Sequence, residues 1–322
     1  MRYEMKISVV VAAYNGEEFI KDQLQSIVNQ SVRPDEIVIT DDGSSDQTLD
    51  ILHDFSKKIS DDIKVRIISN HSEHGFVKNF FNGIFNATGD IIFLSDQDDI
   101  WEKNKIEAYL NIYRDHPDAI CIHGEIDIVN RNRIKIKNHT QGYRRTEKWD
   151  FDHFMKKPNY PGMSLSFKTS KVSFELKKVE MLGRKVRTHD FLIALIAEAS
   201  DGLYVTNKVY SLRRYTGHNV ALQNPKTSFT FRSRISSIDT FIYQYRLSKY
   251  IYMLFVPDNN AQKNKILKYI SIETKRMLFL RTGKISYLLY IFMHINFLPS
   301  WKTIFGDLHI FLAKLSKRDL IG

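Results

Sequence analysis

The strongest constraint on the fold is a unit repeated through the first hundred residues: a short β-branched run, a polar turn, then apolar positions at helical spacing. Ile7 to Ala13 (ISVVVAA) has the length and composition of a strand, Tyr14-Asn15-Gly16 turns the chain, and Ile20, Leu24, Ile27 and Val28 then share one helical stripe. Glu17 and Glu18 stand at the start of that helix, where the positive end of the backbone dipole favours them. Pro34-Asp35 breaks the chain before a second strand, Glu36 to Thr40. The loop Asp41-Asp42-Gly43-Ser44-Ser45-Asp46 follows, rich in capping side chains, and then a helix carrying Leu49, Leu52 and Phe55. A third strand (Lys64 to Ser69), a helix from about Val77 to Asn86, a fourth strand (Asp90 to Leu94) and a helix with Ile106, Tyr109, Leu110 and Tyr113 complete the series. Such alternation builds an α/β domain whose central sheet is mostly parallel and flanked by helices.

In a parallel sheet every strand's C-terminal end lies on one edge, and ligands bind in the crevice there. Three polar clusters directly follow strands and therefore converge on that edge: Tyr14-Asn15, Asp41-Asp42, and the acidic stretch SDQDDIW at Ser95 to Trp101. No Gly-rich phosphate loop follows the first strand, in either the GxGxxG or the GxxxxGK[ST] spacing. A phosphorylated ligand on this edge would need another means of neutralisation. Asp96 and Asp98, one residue apart at a strand end, are suited to share a hard divalent cation whose remaining positions go to phosphate and water. The plainer reading is a solvated loop before a helix. Convergence of the three clusters favours the metal.

In order, VVVAAYNGEEFI, VITDDGSSDQT and GDIIFLSDQDDIW resemble the N-terminal half of a family 2 glycosyltransferase with the GT-A fold. SDQDDIW is similar to the bacterial rhamnosyltransferase-like subgroup. The likeness is dense over residues 5 to 115 and looser over 185 to 220. It implies a GT-A domain at 1–225, with a nucleotide-sugar-binding half (1–115) and an acceptor-binding half (116–225), followed by a helical extension at 226–322. It also implies that Tyr14 and Asp42 hold the nucleotide base, with Asn15 beside them, and that Lys78 and Asn79 approach the nucleotide, although a surface lysine is an equally good reading of Lys78. Asp96 would face ribose and metal, Asp98 would bind Mn2+ or Mg2+, and Asp99 would fix the loop.

The resemblance further implies an inverting transfer that needs a base for the incoming hydroxyl. Thr188-His189-Asp190-Phe191 lies where the family carries a carboxylate before a helix, so Asp190 is the expected base, with an ordinary N-cap aspartate as the alternative. The segment Leu212 to Asn219 (LRRYTGHN) resembles the family's YRxHxxN element. Arg213 is placed to pair with phosphate, while Tyr215 stands where histidine is usual and His218 is the candidate substitute. That departure keeps a second class open, an inactive nucleotide-sugar-binding scaffold.

Charge is divided unevenly. From Lys226 onward 16 Lys and Arg face 5 Asp and Glu, a net +11, whereas the preceding 225 residues carry 31 against 32. The basic part is also aromatic and apolar, which favours an anionic membrane surface over nucleic acid; packing in a core or a homodimer competes with both. Its longest apolar stretch, Ile285 to Leu298, has 14 residues, short of the roughly 20 a spanning helix needs. One cysteine, Cys121, excludes a disulfide framework, and no signal-like N-terminus is visible. The expected setting is cytoplasmic, peripheral at the inner face of the cell membrane. The expected partners are a nucleotide-diphosphate sugar and a glycan or polyprenyl-linked acceptor. The donor sugar is dTDP-rhamnose by subgroup, or a UDP-hexose. No nucleic-acid-binding motif is visible.

Overall fold

A computed structural model describes residues 5–59, 62–70, 74–139, 141–183, 185–216 and 230–318. Two compact units divide the chain, one built from Met1–Trp149 and Asn159–Thr216, the other from Asp150–Pro158 and Gly217–Gly322.

The first unit opens with the alternation its sequence implies: β1 (Ile7–Ala13), α1 (Ile20–Val28), β2 (Glu36–Asp41), α2 (Thr48–Lys58), β3 (Lys64–Ser69), α3 (Phe76–Asn86) and β4 (Ile91–Asp96). A two-residue β5 (Ile100–Trp101), α4 (Lys105–Asp115), β6 (Cys121–Val129), β7 (Lys135–His139) and β8 (Glu147–Lys148) follow. After α5 (Phe151–Lys156), which belongs to the second unit, come β9 (Leu165–Lys168), α6 (Thr169–Met181), α7 (His189–Ala199) and β10 (Leu203–Arg214). The sheet runs β3-β2-β1-β4-β9-β6-β10-β5, with β7 beside β6 and β8 beside β10. Strands β3, β2, β1 and β4 are mutually parallel, as are β6 and β10, while β9 runs against both of its neighbours.

Registers place the strand ends. Ala13 pairs with Asp41 and Ala12 with Asp96, so the ends of β1, β2 and β4 lie side by side on one edge. Their apolar runs are buried on both faces, as a helix-covered parallel sheet requires. Phe93 is fully enclosed, packing against Trp101 and Tyr109.

Beyond residue 115 the sequence signals are weak, and β6 shows why. Its polar residues His123, Glu125 and Asp127 are buried along with the apolar ones, which erases any alternation. Glu125 is satisfied by backbone N–H groups of Gln141, Gly142 and Tyr143, at 2.7–2.9 Å. Such pairing over long sequence distance is invisible to periodicity.

The second unit is helical: α5, α8 (Phe231–Phe255), α9 (Asn260–Thr282), α10 (Ile285–Met293) and α11 (Lys302–Arg318). Residues 150–158, expected in the first unit, pack here. Tyr245 Oη donates to the Met155 carbonyl, Gln244 Nε2 donates to the Pro158 carbonyl, and Lys265 pairs with Asp152. An apolar cluster around Ile238, Ile272, Phe279 and Ile304 holds the helices. A buried charge network crosses it: Arg276 donates to both oxygens of Glu273 and of Asp307, and Arg234 donates to Asp307 and to the Thr303 carbonyl. Gly283 closes α9 at φ 71°, and a Cβ there would meet the Phe311 ring at 2.4 Å. Both facts require glycine. No described helix is long and apolar enough to cross a membrane.

Candidate active site

The edge where β1, β2 and β4 end carries the three polar clusters, and side chains lock them together. Gln97, between the carboxylates of SDQDD, pairs its amide with the Tyr14 peptide: the Tyr14 N–H donates to Oε1 at 2.7 Å and Nε2 donates to the Tyr14 carbonyl at 2.8 Å. A Cβ on Gly16 would lie 2.3 Å from Gln97 Oε1, so glycine at this turn admits the clamp. The Tyr14 ring itself stays 55% exposed, free to offer a stacking face. Asn15 adopts the left-handed region at φ 47°, its N–H donates to Ser44 Oγ, and its Oδ1 accepts the Ser45 N–H. Its side chain thereby fastens the Asp41–Asp46 loop to the first turn.

Asp41 caps its own loop, accepting from the Gly43 and Ser44 N–H groups. Asp42 accepts the Gly75 N–H at 2.7 Å and Asn70 Nδ2 at 3.1 Å, with His74 Nδ1 3.3 Å away. It braces the loop before α3 while sitting at the β2 end. Asn79 is buried, donating through Nδ2 to the carbonyls of Ala13 and Thr40, where it holds the ends of β1 and β2 together. Lys78 Nζ donates to Glu180 of α6 at 3.0 Å. The structure thus commits the side chains of Asn15 and Asn79 to shaping the edge, and ties Lys78 to a carboxylate.

At the β4 end the carboxylates crowd. Burial raises Asp96 above the ordinary range, the Asp190 charge adds to that, and Arg213 and His189 oppose it. Burial and the Asp96 charge push Asp98 up to about 6. Asp99 is almost wholly enclosed, one of its oxygens lacks a partner among the described residues, and burial with the two neighbouring charges holds it well above the usual range. The nearby cations are Arg213 and a residue not singled out from the sequence, Lys105. Lys105 is fully buried under the Trp101 ring, 3.7 Å from its centroid, and donates to the Met163 carbonyl at 2.6 Å. Burial pulls it well below the ordinary lysine range, against the pull of Asp99 and Asp96. On β10 the consecutive arginines part company. Arg213 acts on Asp96, Asp98 and Asp190, whereas Arg214 is buried against the Phe19 ring and donates to Asp22, reaching Asp98 among these carboxylates through its charge.

Asp190 occupies the first turn of α7, with Thr188 ahead of it in the capping position. It is therefore not the N-cap. Asp190 accepts the Phe191 N–H at 2.7 Å, and burial raises it above the usual carboxylate range in spite of that bond and of Arg213. His189 is buried, stacked on Phe80 at 3.9 Å, with neither ring nitrogen hydrogen-bonded among the described residues; burial draws it down to about 4 while Asp96 pulls upward. Gly162 lies against both residues, and a Cβ there would sit 2.9 Å from His189 Nε2. Asp96, Asp98, Asp190 and Arg213 thus act on one another at one site. Tyr215 is exposed, and His218 and Asn219 lie outside the described residues.

No group of three or more His, Cys, Asp and Glu side chains among the described residues is arranged to hold a metal. What the site offers is a pair of carboxylate oxygen donors, Asp96 and Asp98, one residue apart at the end of β4. That donor set fits a hard divalent cation completed by phosphate and water.

The sheet order, the helices on it and the carboxylate edge define a GT-A fold, and solved structures share it. The crystal structure of S. aureus TarS 1–349 in complex with UDP-GlcNAc superposes at TM-score 0.61 with 17% identity, covering 88% of this chain and 77% of that one. Residues 8–174 match the family described as glycosyl transferase family 2, more than half of the chain, and the chain belongs to that family. An uncharacterized glycosyltransferase of Nostoc sp. is 30% identical over 144 residues, 44% of either protein. The dTDP-rhamnosyl transferase RfbG of Shigella flexneri is 40% identical over 100 residues, 30% of this chain and 34% of that one. The chain spans less than half the length of these curated relatives.

Proposed function

We propose that the protein is an inverting glycosyltransferase of cell-surface polysaccharide synthesis, moving a sugar from a nucleotide-diphosphate donor to a glycan or polyprenyl-linked acceptor. The observation that carries this reading is the mutual coupling of Asp96, Asp98, Asp190 and Arg213 where the β4 end, α7 and β10 meet. Three half-buried carboxylates raised by burial beside one arginine have a poor structural rationale and a good chemical one.

In this reading the Tyr14 ring stacks on the nucleotide base at the strand edge, and Asp42, positioned by Gly75 and Asn70, accepts a base N–H. Asp96 faces the ribose. Asp96 and Asp98 hold Mn2+ or Mg2+, which when bound offsets the diphosphate's negative charge. Arg213 pairs with the phosphate oxygens. Asp190 removes the proton from the acceptor hydroxyl as that oxygen bonds to the anomeric carbon. On the opposite face the bond from that carbon to the diphosphate oxygen breaks, releasing the nucleoside diphosphate and inverting the centre. A carboxylate whose pKa is raised toward the working pH is a better base than an ordinary aspartate.

For the donor, the 40% identity to the dTDP-rhamnosyl transferase RfbG over 100 residues supports dTDP-rhamnose, with UDP-hexoses as the alternative. The working place is the inner face of the cell membrane. Asp98→Asn tests the metal role: nucleotide-sugar turnover should vanish while the far-UV spectrum and cooperative unfolding persist. Turnover at the wild-type rate would remove Asp98 from the mechanism.

A further inference from the structure

The second unit exposes more apolar surface on α10 and α11 than a solvated helical pair needs. On α10, Ile285, Leu289, Phe292 and Met293 are all exposed, Met293 to 73%, and their spacing of four, three and one puts them on one side, opposite buried Ile291. On α11 and the residue before it, Trp301, Phe305, Leu312 and Leu315 repeat the pattern, opposite buried Ile310. Trp301 and Phe305 meet edge to face at 5.4 Å, a ready-made aromatic pair with Trp301 58% exposed. Single exposed leucines need no explanation, but two consecutive outward stripes on neighbouring helices do.

Charge decides what covers them. Between residues 281 and 316 the exposed cations are Arg281, Lys284 and Lys302, against one acid, Asp307; Lys314 turns inward over the Phe231 ring. Asp307 is buried and bound to Arg276 and Arg234, so it contributes no exposed negative charge. The two stripes therefore present exposed apolar and aromatic side chains, with exposed cations close by in the chain and no exposed acid among residues 281–316. This is the composition of a helix lying in a lipid interface, with tryptophan at headgroup depth and lysine reaching anionic headgroups. The helices cannot do more than lie there: α10 has 9 residues, roughly 14 Å of rise against about 30 Å of hydrocarbon.

We infer that the exposed face of α10 and α11 docks the protein onto an anionic phospholipid bilayer. The inference deepens the membrane setting proposed above, and it stands independently of the transferase chemistry.

The test is cosedimentation of the full chain with vesicles of phosphatidylglycerol and phosphatidylcholine, and with phosphatidylcholine alone. Wild-type protein should bind the anionic vesicles, and at least tenfold more weakly the neutral ones. The double variants Trp301→Ser/Phe305→Ser and Leu289→Ser/Phe292→Ser should each lose tenfold or more in affinity for the anionic vesicles. All these side chains are exposed, so unchanged thermal unfolding is expected, and turnover of a soluble acceptor should stay at the wild-type level. Wild-type vesicle binding by both variants, or no vesicle binding by the native chain, overturns the inference. So does a homodimer in light scattering that both variants dissociate, which would assign the face to a second copy. Lost vesicle binding with retained turnover is the expected signature. Retained vesicle binding without turnover in any donor and acceptor mixture would count against the transferase reading alone.

Discussion

At Asp98 burial and the Asp96 charge hold the carboxyl at about 6, against an ordinary 3.8. The folded protein then binds that proton more tightly than the unfolded chain does, so stability falls as pH rises from about 4 through about 6. At neutral pH the ionised group therefore works against the fold. Asp98→Asn should stabilise the metal-free protein at pH 7, on the order of 1–3 kcal/mol, with little effect at pH 4. Denaturant melts at the two pH values check this, and destabilisation at pH 7 would mean that the carboxylate is compensated within the protein. Gly16 makes a complementary case. Gly16→Ala places a methyl on the Gln97 amide, and a cost of about 1–3 kcal/mol, with weakened nucleotide binding, is expected from melting curves and nucleotide titration. Asp96 and Asp98 could be singled out in the sequence because a strand end and a two-residue spacing are local facts. Gln97, Lys105 and His189 could not. Lys105 lies in a helical pattern where a lysine reads as solvated, and only the approach of Trp101 and Met163 shows that it is buried.

Elements differ in the same way. The strands β1, β2 and β4 were legible because each holds a continuous apolar run, bounded by turn residues and buried by helices the same stretch encodes. The antiparallel β9, four residues long between β4 and β6, has no signature of its own and depends wholly on partners distant in sequence. Helix α7 shows the remaining ambiguity: the sequence leaves an N-cap aspartate as the alternative to a base at Asp190, and the structure puts Thr188 in the capping position and Asp190 in the turn beside Gly162. In the second unit the Arg276, Glu273, Asp307 and Arg234 network ties α8, α9 and α11, with all but Arg234 fully enclosed. Asp307→Ala leaves two guanidinium groups short of their carboxylate. A loss of about 3–5 kcal/mol, read from denaturant unfolding, is expected. A loss within 0.5 kcal/mol would mean that water replaces the carboxylate at little cost.

At the scale of the whole molecule, the family match covers residues 8–174, which include the edge where β1, β2 and β4 end, while Asp190 and Arg213 lie beyond it. Those two residues reach the carboxylates from α7 and β10. The base assignment therefore bears most of the functional claim. Turnover should have an acid limb lying above the ordinary aspartate range, because Asp190 must be ionised to accept a proton and burial raises its pKa. The most direct measurement is release of nucleoside diphosphate from a panel of nucleotide sugars, with manganese and a glycan or polyprenyl-linked acceptor, by the wild-type protein and by Asp190→Asn. Wild-type protein should turn over at least one donor, and Asp190→Asn should fall about 100- to 10,000-fold while still binding the nucleotide. Equal rates for the two proteins, or nucleotide binding by the wild type without turnover of any donor, would contradict the account.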